Sequence, residues 1–98
     1  MKKIVIYHCF GGTHSSIIAA NLHLGRLPWH EPVRREELLA LPHFDRLNGQ
    51  QVGIVFPHGE DEGGNLVCTV ARRWQIQLAE NILASLGRLL EQEILLVN

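Results

Sequence analysis

No apolar run in this sequence approaches the roughly 18 to 20 residues that a membrane-spanning helix needs. The opening stretch Ile4-Val5-Ile6-Tyr7 meets polar His8 instead of continuing as a signal-peptide core with a small-residue cleavage site. A cytoplasmic protein with no membrane partner is therefore expected. Cysteine is scarce: Cys9 and Cys68 are the only two in 98 residues, and far apart in a reducing compartment they read as free thiols rather than a structural disulfide. Neither sign of charge dominates, since nine Lys and Arg against ten Asp and Glu give a net charge of −1. That balance leaves no electrostatic footprint for nucleic acid. Aromatic residues make up 6%, and Trp29 and Trp74 lack a surrounding basic cluster, which makes them core or interface residues rather than a stacking platform for bases. Internal repeats and low-complexity tracts are absent.

What remains is ordinary globular composition, 46% hydrophobic and 19% charged, in a length that supports one α/β domain over residues 1–98. Ordering costs about 1 to 2 kcal/mol per residue, so a chain this short has to pack most of its Leu, Ile and Val. Six histidines make its charge depend strongly on pH near about 6.5.

The pattern along the chain gives the elements. Lys2 to Tyr7 is a basic pair followed by a β-branched run, the signature of a central strand covered on both faces. Phe10-Gly11-Gly12-Thr13 breaks it, and Thr13 or Ser15 can accept from the N–H groups of a helix starting near His14. Ile17, Ala20 and Leu24 share one side of that helix and Ile18 and Leu22 widen it, so it is largely buried, with His23 its main polar position and Gly25 its stop. Pro28, Pro32 and Pro42 punctuate a structured connection, with a short helix between Arg35 and Leu41. Residues 51–56 and 65–70 read as the two strands of a hairpin, with Pro57 to Gly64 as its turn-rich acidic link. Trp74 to Glu91 is a long amphipathic helix whose apolar arc, Trp74, Leu78, Ile82, Leu83, Leu86, Leu89 and Leu90, is expected to cover a sheet face. Glu93 to Asn98 closes as a last strand. The expected architecture is a small three-layer α/β domain with a mixed, mainly four-stranded sheet. Pairing of the chain with itself stays open, because the leucine-rich arc suits core or dimer packing.

Chemistry concentrates in His8-Cys9-Phe10-Gly11-Gly12-Thr13-His14-Ser15-Ser16, past the C-terminal end of a strand and before a helix. Glycines let backbone N–H groups approach a ligand, the helix start supplies unpaired donors and partial positive charge, and Thr13, Ser15 and Ser16 add hydroxyls. The expectation is a site for a phosphate- or carboxylate-bearing small molecule formed by Gly11, Gly12, Thr13, His14, Ser15 and Ser16. The loop holds no lysine, which argues against a Walker-type nucleotide site, and Ser15 stands where a tyrosine-phosphatase loop would need arginine. Cys9 has two readings. Near a helix N-terminus and His14 or His8 its thiol can be a nucleophile, with Cys9 and His14 as catalytic candidates, or it is a small buried residue ending a strand. No zinc spacing relates the histidines, and His8 and Cys9 point to opposite faces of a strand, so neither metal nor cofactor is expected. Glu60, Asp61 and Glu62 read as a solvated hairpin tip rather than paired catalytic acids. Arg72 and Arg73 would reach an anion only if their strand ends beside the glycine loop. A third reading makes the loop a mere tight turn in a protein-interaction domain, with Trp29 and residues 26–49 as contact surface.

Tyr7 to Ser16, with Ala19-Ala20, His23-Leu24-Gly25, Glu36-Glu37-Leu38-Leu39 and Pro42-His43-Phe44-Asp45, resembles an uncharacterised bacterial family, domain of unknown function 3189, over nearly the whole chain. That resemblance implies no activity. Cys9, Gly12, Ser15 and Ser16 are also similar, position by position, to the phosphocysteine loop of the lactose and cellobiose IIB components of sugar phosphotransferase systems. This second resemblance covers the first quarter and implies Cys9 as phosphoryl acceptor with Gly12 to Ser16 as its cradle.

Overall fold

The computed structural model describes residues 2–11, 14–28, 30–41, 44, 53–73 and 75–98. The β-branched opening run forms β1, Ile4–Cys9, and it is central as its composition demands. Parallel β3, Leu66–Ala71, lies on one side of it and parallel β4, Ile94–Val97, on the other. β2, Phe56–Glu60, adds antiparallel to β3, which gives a mixed four-stranded sheet in the order β2-β3-β1-β4. Alternation along β1 feeds two faces. Ile6, with Cys68 and Val70 of β3, builds one core that takes in Leu83, Ile94 and Leu96. The opposite face receives helix α1, Ser15–His23, whose Ile17 packs with Leu27 and Leu41 from the connection.

That second cluster explains why α1 has no polar face. The sheet lies beneath it, while the connection and the short α2, Arg35–Leu39, fold back over it. Ile17, Ala20 and Asn21 are each fully buried as a result. The helix stops where the sequence expects. Gly25 takes φ +75°, its N–H donates to Leu22 O and that of Arg26 to Asn21 O, the paired bonds of a Schellman cap. At its start the N-cap is His14, which makes no side-chain cap bond, and Ser15 is already helical. Thr13, the other expected cap, lies outside the described residues.

Two expectations need correction. β2 lies further along the chain than residues 51–56: it runs through Pro57, His58 and Gly59, and the link shrinks to Asp61–Asn65, closed by Asp61 N–H to Asn65 O. Proline is tolerated on an edge strand or at a bulge, and the ladder shifts between Pro57 and Gly59. Buried His58, its Nε2 2.8 Å from Thr69 Oγ1, draws the segment into the sheet. Helix α3, Ile76–Leu89, also departs from its expected role. Only part of its apolar arc reaches the core: Leu83 packs there, whereas Leu78, Ile82, Leu86, Leu89 and Leu90 stay exposed, Leu89 at 79%. The helix settles on its narrow small-residue side. Gly87 is buried there, and a Cβ on it would stand 2.8 Å from the Gln92 carbonyl oxygen and 3.1 Å from Ile94 Cδ1.

Candidate functional site

Strand lengths create the site. β4 pairs with β1 only as far as Tyr7 opposite Val97, while on its other side β1 stays paired to Cys9 opposite Ala71. His8 and Cys9 therefore run past the end of β4. The gap is a cavity of about 280 Å³ lined by Tyr7, His8, Cys9, Ser15, Ser16, Ala19, Val97 and Asn98. Tyr7 and Cys9 are alternate residues of one strand and so share the α1 face of the sheet. Cys9 is half-buried and its thiol donates to Ser16 Oγ at 3.2 Å, so the cavity brings a thiol together with Ser15 and Ser16 at the first turn of a helix.

The β3 side of the strand ends is closed by hydrogen bonds. Arg72 N–H donates to Cys9 O and Arg73 N–H to Phe10 O, which brings the arginine pair beside the loop. Arg72 is spent on structure: its Nε donates to His8 Nδ1 at 2.8 Å and its other nitrogens to Arg73 O and Asn98 Oδ1. Accepting at Nδ1 requires His8 to be neutral there. Burial, then the Arg72 guanidinium, hold its pKa below the ordinary histidine value against an opposing pull from Glu80. Arg73 takes φ +52° and lays its guanidinium 5.1 Å from the centre of the Phe10 ring.

Of the residues singled out from sequence, Cys9, Ser15 and Ser16 line the cavity together. Gly11 stands two residues past the end of β1, half-buried. The exposed His14 ring meets Phe44 edge to face at 5.2 Å. Gly12 and Thr13 lie outside the described residues. Among the described residues no three His, Cys, Asp or Glu side chains group as metal ligands.

A family model described as protein of unknown function (DUF3189) matches residues 4–98, from the first strand through the last. The chain belongs to the DUF3189 family. No curated protein and no solved structure matches it. Beyond α1 this DUF3189 chain runs into the antiparallel β2–β3 hairpin, a departure from the successive parallel strand-helix units that likeness to a IIB component implies.

Sequence reasoning missed Tyr7, His23 and Asp61. The Tyr7 hydroxyl lies 2.7 Å from His23 Nδ1, and His23 Nε2 lies 2.8 Å from Asp61 Oδ2. Asp61 also accepts from Gly63 N–H, Asn65 N–H and Asn65 Nδ2. The two Asn65 donors, then His23, hold its carboxyl well below the usual carboxylate range. A carboxylate only accepts, so His23 Nε2 carries the proton, and a neutral His23 then accepts at Nδ1 from the Tyr7 hydroxyl. Burial and the Asp61 charge push the Tyr7 pKa up, which keeps that donor in place. A polar His23 on an otherwise apolar helix was the available signal. Its partners lie 16 and 38 positions away.

Proposed function

We propose that this chain binds a small phosphate- or carboxylate-bearing molecule in the cavity at the C-terminal end of β1. The observation that carries the reading is the shared lining: Cys9, Ser15 and Ser16 face one open space at the first turn of α1. A helix N-terminus directs N–H groups and partial positive charge toward an anion, and hydroxyls supply further donors. A smaller hollow of about 200 Å³ between α3 and β3 is lined mainly by Val70, Ala71, Leu78, Ala79, Ile82 and Leu83, and of its two polar members, Gln75 and Arg72, the arginine is already bonded to His8 and Asn98. Thermal unfolding with phosphate, pyrophosphate and nucleotides tests the proposal, because a ligand at 100 times its Kd adds about 2.7 kcal/mol. No stabilisation by any of these anions or by small carboxylates would refute it and favour a protein-interaction domain.

Thiol chemistry is the second reading, and the position of Cys9 Sγ in the cavity 3.2 Å from Ser16 Oγ favours it. Cys9→Ser separates the two. Anion affinity survives in that variant if the chain is a binding module, whereas a nucleophile or phosphoryl carrier loses covalent labelling or turnover.

A further inference from the structure

Helix α3 carries an apolar stripe that the core does not use. Leu78, Ile82 and Leu86 stand four residues apart and half-exposed, Leu90 continues their line just beyond the helix, and Leu89 lies beside it. Side chains four apart form a ridge on a helix, and the ridge next to this one is Asn81, Ser85 and Leu89. Between the two ridges lies a hollow of about 260 Å³ lined by Asn81, Ile82, Ser85, Leu86 and Leu89, open in its middle over the small side chain of Ser85. A ridge and a groove thus stand side by side on one face, the shape that lets two copies of that face interlock.

Area and charge both suit a second copy. The folded chain exposes 6261 Å², whereas a monomer of 11.1 kDa ordinarily exposes about 5,650 Å². The excess of about 600 Å² per copy amounts to a contact of about 1,200 Å² in total, the lower end of stable specific interfaces. Glu80 lies off the stripe, close enough to His8 for its charge to act there, and Arg88 sits at the rim, donating to Ser85 Oγ. Antiparallel pairing keeps the two Arg88 side chains about 12 Å apart along the helices, beyond one screening length. We propose that α3 pairs with α3 of a second copy, antiparallel about a two-fold axis level with Ala84, so that Ile82 of each chain meets Leu86 of the other and Leu78 meets Leu90. This pairing goes beyond the anion-binding reading and does not depend on it. The contacts that seat α3 on the sheet, Leu83 and Gly87, belong to the single chain, so the dilute monomer stays folded and substitutions in the stripe leave its own stability nearly unchanged.

Sedimentation velocity of the full chain over protein concentrations from about 1 to 100 μM reads the association, with circular dichroism confirming the fold of every variant. The expected result is a reversible dimer with a micromolar or tighter Kd. Leu86→Glu and Ile82→Lys each place an unpaired charge in the contact and should weaken the dimer at least about 100-fold. Mixed in equal amounts, the two variants should pair with each other, because the introduced cation at position 82 of one chain then meets the introduced carboxylate at position 86 of the other. Leu89→Glu, at a position 79% exposed, is the variant to use should either of these fail to fold, and it should weaken the dimer as well. A wild-type chain that sediments as a monomer throughout overturns the proposal. A dimer that survives the substitutions in folded protein also overturns it, since the contact then lies elsewhere, as does a mixture of the two folded variants that stays monomeric, since the helices then do not meet in this register.

Discussion

The two cysteines should differ in reactivity by orders of magnitude, and the structure sets the size of the gap. Cys68 is 2% exposed, packed between Ile6 and Val70 in the core beneath α3, and burial pushes its thiol pKa up. An alkylating reagent meets it only when the sheet opens. If opening costs about 5 kcal/mol, the low end of native stability, roughly one molecule in 5,000 is accessible at any moment. Cys9 is half-buried and lines an open cavity, where partial shielding should slow it by no more than about tenfold. The native rate ratio should therefore be at least about 10² in favour of Cys9. Pulsed labelling with iodoacetamide, quenched and read peptide by peptide in a mass spectrometer, measures it, and denaturant should bring the two rates together. Native rates within about tenfold of each other, or faster labelling of Cys68, would refute the placement of Cys9 in an accessible cavity.

Gly87→Ala should destabilise the chain, although a glycine-to-alanine change within a helix is ordinarily worth about 1 kcal/mol of gain. The added methyl meets the Gln92 carbonyl, a backbone atom with little room to yield, and overpacking of this kind costs about 1 to 3 kcal/mol; a raised melting temperature would contradict it. Ile17→Ala, at a site with no solvent exposure, should cost about 2 to 5 kcal/mol. Leu89→Ala should stay within about 0.5 kcal/mol, and equal losses in chemical denaturation would show that α3 has been oriented wrongly. Asp61 stabilises the fold at pH values above about 4, the ordinary Asp value, because its folded pKa is depressed, and that contribution drains as the pH falls further. The melting temperature of Asp61→Asn should accordingly change less than that of the wild type over the same acid range, and parallel profiles would remove Asp61 from the linkage.

The elements legible from sequence are those that a local pattern specifies. A β-branched run places β1, a glycine with left-handed backbone ends α1 at Gly25, and proline spacing confines α2. β2 was misplaced because its decisive contact is not local: Pro57 and Gly59 read as a turn, and only the pairing of His58 with Thr69, from a strand not yet built, turns them into an edge strand. The α3 arc misled for a related reason. Periodicity shows which residues share a side of a helix, but Gly87 and Leu83, with their small neighbours, choose which part of that side meets the sheet. At the site, Cys9, Ser15 and Ser16 were readable because they flank one turn. Tyr7, His23 and Asp61 were not, since they come from β1, α1 and the hairpin turn and meet only after the chain has folded.

The location of the cavity follows from the same topology. The connection leaving β1 runs through α1 on one face of the sheet, and that leaving β3 runs through α3 on the other, so their adjacent C-terminal ends form the switch point where open α/β sheets bind ligands. Here Arg72 and Arg73 close that crevice by donating to Cys9 O and Phe10 O. The opening is displaced to the other side of β1, where pairing with β4 stops at Tyr7. Two consequences come with the displacement. The side chains of β1 that face α1 there, Tyr7 and Cys9, become the floor of the site, and the arginines are drawn off to His8, Asn98 and the Phe10 ring. An anion in this cavity would thus be held by hydroxyls and helix N–H groups rather than by a guanidinium.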